Sequence, residues 1–464
     1  MPELPEVRNV INYLIQHEKI LNKTIKNVEI YCDNIIETNI DDFINQLKNK
    51  TILNITQKGK YIIFHLSENY VLISHLRMEG KFFYKKEDEI LQKHDLIIFH
   101  LENDHKLIYN DTRKFGKMSL LKEDDYLFKP PLNNVGPDPL ENINLSYIKE
   151  KYNKRIPIKQ LLLDQHIISG IGNIYADEIL FDVGINPRTL GCDLDENDFK
   201  NILSSSKRIL LEAINKGGST IKSFHISEER EGNYQNNLKV YGKENRPCNR
   251  CHRPLRKIFL NGRGTTFCPH CQINKSLPYV VCLSGPIASG KSTINKYFID
   301  KGYKSIDLDN IVHLLYKKEE IQNEIKKIIP SLKIIDGDID RIYLKQYLSN
   351  NKRAQNDLEN YLYNYLYNYI YKMLLKIGNK EKIIMDVPLL FKSHLDDFAR
   401  KIIIVQIDND VQKERLLKRN NEITNYLKIN KSYYEQEDIK KADYLISNNG
   451  SIDELYKKLD DLNF

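Results

Sequence analysis

Two residues at the start of the chain could carry out covalent chemistry, because the sequence begins Met1-Pro2-Glu3. Removal of Met1, which a small second residue permits, would leave Pro2 with a free secondary amine. An α-amino group titrates at roughly pKa 7.7–8.0, so a fraction of this amine would be neutral and nucleophilic at pH 7. Such an amine condenses with a masked aldehyde to a cationic iminium, and Glu3 could move a proton at the same carbon. The alternative interpretation is a stiff, charged terminus without a chemical role.

Four of the seven cysteines stand in two C-x-x-C pairs, Cys248/Cys251 and Cys268/Cys271. This spacing fits two knuckles that close one tetrahedral thiolate site for zinc. Since four thiolates leave no open coordination position, the sequence predicts a structural zinc ion and not a catalytic one.

A third group of residues has the spacing of a phosphate-binding loop. The apolar run at 279–284 predicts a buried strand, and G-x-x-x-x-G-K-S follows it at 285–292, before a helical pattern. In this context backbone N–H groups cradle the β-phosphate of a nucleotide, Lys291 reaches the β and γ oxygens, and Ser292 ligates Mg²⁺. The residues predicted to contact the nucleotide are Gly285, Ala288, Ser289, Gly290, Lys291, Ser292 and Thr293. The alternative is a chance loop.

The composition limits the classes to which the chain can belong. Its 464 residues predict two to four domains, and 41% hydrophobic with 29% charged residues is typical of a soluble globular protein. No apolar run approaches the ~20 residues of a membrane span, and no signal-peptide pattern is present. We therefore expect a cytoplasmic monomer without membrane contact. The net charge of +7 permits a polyanionic partner without requiring one.

The elements that must position these residues differ along the chain. A helix is predicted at 7–16, and short apolar runs at 61–65, 70–74 and 95–99 predict an antiparallel sandwich or barrel. Prolines at 130–131 and 137–139 predict a hinge, and helical patterns follow to residue 216. After residue 278, apolar runs at 382–386, 401–407 and 442–446 alternate with helices, which predicts a parallel three-layer α/β domain.

Several motifs of the first 272 residues resemble the formamidopyrimidine-DNA glycosylase family. They are, in order, Pro-Glu-Leu-Pro-Glu-Val at 2–7, Gln-Lys-Gly-Lys-Tyr at 57–61, His-Leu-Arg-Met-Glu-Gly at 75–80, Arg-Lys-Phe-Gly at 113–116, the helix–two-turn–helix segment at 164–178 and Asn-Gly-Arg-Gly-Thr at 261–265 between the cysteine pairs. The segment 217–224 resembles the family's mobile loop over the extruded base. This resemblance implies double-stranded DNA containing oxidised bases as the substrate.

The resemblance also implies a role for each matching residue. Pro2 would attack the sugar C1′ of the damaged nucleotide, and Glu3 would be the proton donor. Lys60 would assist β-elimination and hold the neighbouring phosphate, and Arg263 would clamp a phosphate and assist δ-elimination. The residues expected to contact DNA are Met78, Glu79, His94, Arg113, Phe115, Lys154 and Asn173.

Three of these residues would fill the gap left by a flipped base, namely Met78, Arg113 and Phe115, because two apolar tips can unstack bases and a guanidinium can bond the orphaned partner. Gly172 and Asn173 open a predicted helix whose uncapped backbone N–H groups are expected to hold a phosphate. A sister family, the endonuclease VIII glycosylases, prefers oxidised pyrimidines and shares the proline and the zinc finger. The terminus and the 75–80 segment favour the branch that excises oxidised purines such as 8-oxoguanine and formamidopyrimidines.

The remainder of the chain resembles dephospho-CoA kinase through the loop at 285–293, Ile-Asp-Leu-Asp at 306–309, Val-Pro-Leu-Leu-Phe at 387–391 and the segment 442–450. The resemblance implies ATP and dephospho-CoA as substrates. Asp309 would accept the ribose 3′-hydroxyl proton, although it could instead cap a helix, and Arg415 and Arg419 would belong to a lid over the transferred phosphoryl group. The sequence departs from the family at Tyr363-Asn364 and Lys392, and these departures could weaken the acceptor site while they leave ATP binding intact.

The predicted architecture is therefore multidomain: a catalytic β domain at 1–130, a helix–two-turn–helix domain at 131–230, a four-cysteine zinc finger at 238–272 and a P-loop kinase domain with a parallel sheet at 278–464. The leading hypothesis is a bifunctional enzyme with Zn²⁺ in the finger and MgATP as a kinase substrate. One alternative is an oxidised-pyrimidine glycosylase with a non-catalytic or differently specific nucleotide-binding domain. Another is a DNA protein that binds damage without cutting the strand.

Overall fold

The computed structural model describes residues 1–219, 232–419 and 436–462. These residues form two compact units, Met1–Gln272 and Ile273–Phe464. Part of the predicted mobile loop at 217–224 lies outside the described residues. Within the described ranges, no helix is both long and apolar enough to cross a membrane.

The first unit begins with a helix that leads into two four-stranded antiparallel sheets. Their strand orders are β1-β6-β7-β5 and β2-β3-β4-β8. The elements are α1 (Leu4–Gln16), β1 (Ile25–Ile30), α2 (Ile40–Leu47), β2 (Ile52–Lys58), β3 (Tyr61–Leu66), β4 (Tyr70–His75), β5 (Lys81–Lys86), β6 (Asp95–Leu101), β7 (His105–Asn110) and β8 (Lys117–Lys122). Side chains from both sheets and α1 form one hydrophobic core, in which the rings of Phe64 and Phe82 meet with centroids 5.5 Å apart. The predicted sandwich is thus confirmed.

A helical core and a hairpin complete the first unit. The helices are α3 (Leu145–Tyr152), α4 (Ile158–Leu163), α5 (Asn173–Asp182) and α6 (Glu196–Asn215), and the hairpin strands are β9 (Arg256–Leu260) and β10 (Arg263–Phe267). Tyr175 and Phe199 are among the buried side chains that these helices share. The helix α5 is buried on all sides, from Ile174 to Phe181, and this puts its N-terminus inside the protein.

The second unit has a parallel five-stranded sheet in the order β12-β15-β11-β16-β17. Its elements are β11 (Tyr279–Ser284), α7 (Lys291–Asp300), β12 (Lys304–Asp307), α8 (Leu308–Tyr316), α9 (Glu319–Ile328), β13 (Ile334–Ile335), β14 (Asp338–Ile339), α10 (Arg341–Asn350), α11 (Lys352–Ile377), β15 (Lys382–Asp386), β16 (Lys401–Gln406), α12 (Asn409–Arg419), α13 (Gln436–Ile439), β17 (Tyr444–Ser447) and α14 (Ile452–Asp460). Helices pack hydrophobic side chains against both faces of this sheet, which confirms the predicted α/β layers.

Candidate active sites

A cavity of about 410 Å³ in the first unit brings together residues from distant parts of the sequence. Six of the predicted site residues line it: Pro2, Glu3, Lys60, Met78, Asn173 and Arg263. The peptide N–H of Leu4 donates to the carbonyl of Gly170 at 3.0 Å, so the N-terminal segment is held against the helical core. The predicted nucleophile, the predicted acid and the two predicted cations therefore line the same cavity.

The carboxylate of Glu3 is the most strongly held group in this cavity. Its side chain is 3% exposed and accepts backbone N–H bonds from Gly172 at 2.7 Å, Ile174 at 2.9 Å and Tyr175 at 3.3 Å. Burial raises the pKa of Glu3, and the charge of Lys60 together with these N–H groups opposes the rise. A buried carboxyl with a raised pKa suits the donation of a proton near neutral pH.

A second buried carboxylate, Glu6, connects the start of α1 to the helical core. One of its oxygens accepts the N–H of Glu3 at 2.9 Å, and the other accepts the Tyr175 hydroxyl at 2.6 Å and the N–H of Ser219 at 2.8 Å. Ser219 is the last residue of the segment 217–224, matched to the mobile loop, that is described before the gap at 220–231. The position of Pro2 and the base of that loop thus depend on the same side chain.

Lys60 enters the cavity from the turn between β2 and β3. Gly59 in this turn has φ +55°, and a Cβ there would lie 2.8 Å from the Cβ of Ser169, so the turn requires glycine. Lys60 is 5% exposed, and burial lowers the pKa of its ammonium group against the opposing charges of Glu3 and Glu6. Burial likewise lowers the pKa of the Met1 amino group beside it. Amines at this end of the cavity are accordingly shifted toward the neutral, reactive form.

Met78, Arg113 and Phe115, which are predicted to fill the gap left by a flipped base, are called the wedge residues here. They lie on two loops that meet at one tyrosine. Met78 is 38% and Phe115 51% exposed, and the guanidinium carbon of Arg113 stands 4.8 Å from the Phe115 ring centroid. The buried hydroxyl of Tyr109 occupies the space that a Cβ on Gly80 or Gly116 would need. Both loops therefore pack directly on Tyr109.

One buried carboxylate, Asp111, sets the shape of the second loop. It accepts the N–H groups of Arg113 at 2.9 Å, Phe115 at 2.9 Å and Gly116 at 2.8 Å. The Thr112 hydroxyl bonds the Glu79 carboxylate of the first loop. Exposed apolar tips on rigid loops fit insertion into a base stack.

The other predicted DNA contacts lie outside the cavity. The carbonyl of His94 accepts the N–H of Asp111 at 3.1 Å, which places His94 beside the wedge loop. Lys154 is exposed after α3, and its carbonyl accepts the N–H of Cys192 at 3.0 Å. The structure leaves their contact with DNA as a prediction.

Arg263 begins β10, and a buried ion pair holds the backbone that follows it. Lys159 lies 2.7 Å from Asp177, with both side chains 1% exposed. The ammonium group of Lys159 also donates to the Gly264 carbonyl at 3.1 Å and the Thr265 hydroxyl at 2.9 Å. Burial raises the pKa of Asp177 to about 7 against the charge of Lys159. This pair fixes the hairpin so that Arg263 faces the cavity.

The four cysteines of the two C-x-x-C pairs form one cluster, with all four sulfur atoms within 4.8 Å of one another. Two of the Sγ–Sγ distances are 3.9 Å, for Cys248 and Cys271, and 3.5 Å, for Cys251 and Cys268. Tetrahedral zinc with Zn–S bonds of about 2.3 Å requires sulfur atoms about 3.8 Å apart. The donor set and its spacing thus fit one structural zinc ion, as predicted.

The phosphate-binding loop of the second unit joins β11 to α7. Ala288 has φ +63° and Gly290 φ +97°, and the left-handed conformation costs an alanine about 1–2 kcal/mol. The Lys291 ammonium donates to the carbonyls of Gly285 at 2.7 Å and Pro286 at 3.0 Å, across the mouth of the loop. The structure places Ser289, Ser292 and Thr293 in the same loop and first helical turn.

Carboxylates surround this loop at the ends of neighbouring strands. Asp386 ends β15, and burial raises its pKa to about 6 against the charge of Lys291. Its Oδ1 is buried without a hydrogen-bond partner among the described residues. Burial also raises the pKa of Asp309, in the first turn of α8. An unpartnered carboxylate oxygen beside a phosphate-binding loop suits a Mg²⁺ ion that accompanies ATP.

Comparison with known proteins assigns the first unit. The family models of the formamidopyrimidine-DNA glycosylase N-terminal domain, its H2TH domain and the zinc finger found in FPG and IleRS match residues 1–118, 135–225 and 246–273. The formamidopyrimidine-DNA glycosylase of Mycoplasma mobile is 43% identical over 274 residues, which cover 59% of this chain and 99% of the relative. That of Bacillus subtilis is 41% identical over 279 residues, which cover 59% and 100%. The chain belongs to the formamidopyrimidine-DNA glycosylase family.

Solved structures of this glycosylase family agree with the assignment. A Lactococcus lactis FPG mutant bound to DNA containing Fapy-dG is 37% identical, covers 58% of this chain and 99% of its own, and superposes with a TM-score of 0.55. The wild-type L. lactis protein has been solved with DNA containing an oxidised pyrimidine, at 37% identity, the same coverage and a TM-score of 0.54. The dephospho-CoA kinase family model matches residues 279–454, so this family member carries a second enzyme domain.

The structure corrects one expectation from the sequence and excludes one alternative. The N–H groups at the start of α5 are not uncapped, because the Glu3 carboxylate takes those of Gly172, Ile174 and Tyr175. The cap of α8 is Asp307, which accepts the N–H of Asn310 at 3.1 Å, and this leaves Asp309 for another role.

The positions of two other predicted residues are only partly described. The Nη1 atom of Arg415 comes within 3.8 Å of the position a Cβ on Gly290 would take, so this arginine lies at the loop. The side chain of Arg419 lies outside the described part.

Sequence reasoning missed five residues that shape one or the other of these two sites. They are Glu6, Asp111, Lys159 and Asp177 in the first unit and Asp386 in the second. Only Glu6 had a signal, because an acidic residue three positions after a helix cap is typical of a capping box. Lys159, Asp177 and Asp386 are charged residues in apolar segments, which indicates a buried ionic contact without identifying its partner, whereas Asp111 lies in a polar stretch that gives no such signal.

Proposed function

We propose that the first unit is a DNA glycosylase and AP lyase that excises oxidised purines from double-stranded DNA. The observation that supports this most is the common wall of Pro2, Glu3, Lys60 and Arg263 around one cavity. Removal of Met1 would convert the Pro2 nitrogen from an amide into an amine in surroundings that disfavour its charged form. Attack of this nitrogen on C1′ breaks the glycosidic bond, and the base leaves with a proton supplied by Glu3.

The lyase steps use the two cations of the cavity. Cleavage of the C1′–O4′ bond, with a proton taken up by O4′, opens the sugar ring and leaves C1′ as an iminium on Pro2. Loss of the C2′ proton then expels the 3′ phosphate, and a second elimination expels the 5′ phosphate. Lys60, which burial biases toward its neutral form, acts in the first elimination, and Arg263 holds the phosphate of the second. Met78, Arg113 and Phe115 occupy the space of the flipped nucleotide, and zinc supplies structure to the hairpin of Arg263.

Borohydride trapping tests this mechanism. The mature protein is expected to form a covalent adduct with 8-oxoguanine DNA, whereas protein with Pro2 blocked by a retained methionine or an acetyl group forms none. The matched variant Glu3→Gln should lose base excision but still nick a preformed abasic site. An adduct of unchanged yield with blocked Pro2 would refute the assignment of the nucleophile.

Oxidised purines are proposed over oxidised pyrimidines as the main substrate on the basis of the terminal and 75–80 motifs. A related protein has been solved with an oxidised pyrimidine in its DNA, so binding alone cannot separate the two classes. Competition between 8-oxoguanine and an oxidised pyrimidine under single-turnover conditions does so. A protein that binds lesions strongly and never cuts would instead support the non-catalytic alternative.

We further propose that the second unit phosphorylates the 3′-hydroxyl of dephospho-CoA with ATP. This rests on Lys291 and Ser292 at the start of α7 and on Asp309 in the first turn of α8, whose raised pKa suits a base. Ser292 and Asp386 would hold Mg²⁺, which neutralises charge on the transferred phosphoryl group. Asp309 takes the proton of the attacking hydroxyl, and Arg415 and Arg419 cover the phosphates.

Transfer of label from [γ-³²P]ATP to dephospho-CoA tests this activity, with Asp309→Asn expected to reduce kcat by at least 100-fold and to leave ATP binding intact. Adenosine and other nucleosides serve as competing acceptors, because Lys392 and Tyr363-Asn364 alter the family pattern. We propose that the protein works as a cytoplasmic monomer, which sedimentation with and without DNA would check.

A further inference from the structure

Two buried side-chain amides bond the outer face of the phosphate-binding loop. The Nδ2 of Asn448 donates to the Ser289 carbonyl at 2.7 Å, and the Nε2 of Gln412 donates to the Ile287 carbonyl at 2.8 Å. Asn448 is 6% exposed and Gln412 5% exposed. No role follows for either residue from the motifs that identified the nucleotide site.

The two bonded carbonyls flank the strained residue of the loop. Ala288, at φ +63°, lies between Ile287 and Ser289. A left-handed residue within such a loop turns successive N–H groups to one side, where they form an anion-binding concavity, and turns carbonyls to the other side. A buried carbonyl needs a donor. The amides of Asn448 and Gln412 meet that need, so they offset the strain of a non-glycine residue at this position.

The backbone of Asn448 is bonded to the last residue of β16, and the backbone of Gln412 is bonded to Asp408, which directly precedes α12. The N–H of Asn448 donates to the carbonyl of Gln406 at 2.9 Å, and the N–H of Gln412 donates to the carbonyl of Asp408 at 2.9 Å. A Cβ on Gly290 would collide with Nδ2 of Asn448, so the loop closes tightly over that amide. The side-chain bonds of Asn448 and Gln412 to the loop are called the clamp here. The clamp connects the loop to β16 and to α12, the helix that carries Arg415.

We propose that Gln412 and Asn448 are positioning residues that hold the loop in the shape that receives the phosphates of ATP. Gln412 belongs to α12, so its bond also links the loop to the helix that carries Arg415. This inference rests on the proposed kinase function. It predicts a defect in ATP affinity, since neither residue touches the acceptor hydroxyl or the base that takes its proton.

Calorimetric titration of the full chain with MgATP tests the clamp. Gln412→Met and Asn448→Leu, which remove one donor each, are expected to raise the Kd for ATP roughly tenfold. In steady-state assays the KM for ATP should rise in parallel, while kcat at saturating ATP and the KM for dephospho-CoA stay within about twofold. Asn448→Asp keeps the shape of the side chain and lacks the donor, so it serves as a second variant should the leucine variant fold poorly.

Matched controls come from the adjacent residues. Lys413→Met changes an exposed side chain of the same helix. Asn449→Asp retains the oxygen that accepts the N–H of Asp408 at 2.9 Å. Both should bind ATP within about twofold of wild type.

Folded clamp variants with wild-type affinity would overturn the inference, as would an equal loss in the two controls. A wild-type chain that binds no ATP would instead refute the kinase function itself.

Discussion

Replacement of Lys159 by methionine is expected to destabilise the first unit strongly, because it leaves the buried carboxylate of Asp177 without its cation. Breaking a buried ion pair from one side costs about 3–5 kcal/mol. Both side chains are 1% exposed, so little solvent screening reduces this cost. For a domain of this size each kcal/mol lowers Tm by about 2–4 °C, which predicts a loss of roughly 6–20 °C.

The size of this loss should depend on pH. Burial already raises the pKa of Asp177 to about 7, and removal of the lysine raises it further because the attraction of the cation is lost. The folded variant then takes up a proton at neutral pH that the unfolded chain does not bind. Its deficit in free energy of unfolding, relative to wild type, should therefore shrink as the pH falls toward about 7 and level off below that, where both folded forms carry the proton.

The double variant Lys159→Met/Asp177→Leu separates stability from function. Removal of both charges should restore most of the stability, since an apolar pair avoids the desolvation cost. The Gly264 carbonyl still lacks its lysine donor, and the N–H of Thr266 lacks the Asp177 oxygen that it meets at 3.0 Å. Arg263 then loses its fixed position, and strand cleavage should fall about 10–100-fold.

Urea unfolding and single-turnover cleavage of 8-oxoguanine DNA measure the two effects. Lys257→Met is the control for stability, because Lys257 lies on the same hairpin and pairs with Glu244 at 2.8 Å at an exposed site. That change should cost less than about 1 kcal/mol. If Lys159→Met were no more destabilising than Lys257→Met, the buried pair would not hold the hairpin.

Four further predictions concern other parts of the two sites. Burial lowers the pKa of His75 to about 3, so the stability that neutral His75 contributes is lost as the pH falls from about 6.5 toward 3. Between pH 7 and 5 the free energy of unfolding of the wild type, measured in urea, should therefore fall by about 2 kcal/mol more than that of His75→Asn. Equal losses would contradict this. Asp111→Asn removes an acceptor from the wedge loop and should slow excision from intact duplex about tenfold while nicking of abasic DNA changes little, as paired gel assays would show. Removal of zinc by a chelator should release one equivalent of zinc, measured in a colorimetric assay, and should abolish DNA cleavage while phosphoryl transfer is retained. Cys268→Ser should have the same effect on the two activities. Asp386→Asn should lower kcat for phosphoryl transfer at least 100-fold at fixed Mg²⁺, and a normal rate would exclude it as a metal ligand.

Local patterns in the sequence predicted several of the elements. The strands that begin at Tyr61, Tyr70 and Asp95 were predicted to within two residues, and β11 and β15 have the predicted bounds. Alternating and continuous apolar runs report burial over a few neighbours, which is the range in which strand patterns arise. The zinc cluster was predictable for the same reason, since its ligands come in close pairs.

The contacts that assemble the first site were not predictable, because they join residues far apart in the chain. Glu3 meets the N–H of Gly172 across 169 positions, and Lys159 meets Thr265 across 106. The sequence at Gly172 and Asn173 has the pattern of an anion-binding helix start, and that pattern is correct: the anion is a side chain of the protein. No local signal distinguishes an internal carboxylate from an external phosphate.

The hydrogen bonds between the start of α5 and Glu3 link the protonation state of Glu3 to how firmly α5 is held. An ionised carboxylate accepts stronger hydrogen bonds than a neutral carboxyl group. If Glu3 is the proton donor proposed above, the start of α1 therefore holds α5 least firmly while Glu3 is protonated and most firmly after it has given the proton away. Base release would then tighten the enzyme around its own product. The chemical step itself thus supplies a reason for the nicked strand to depart slowly.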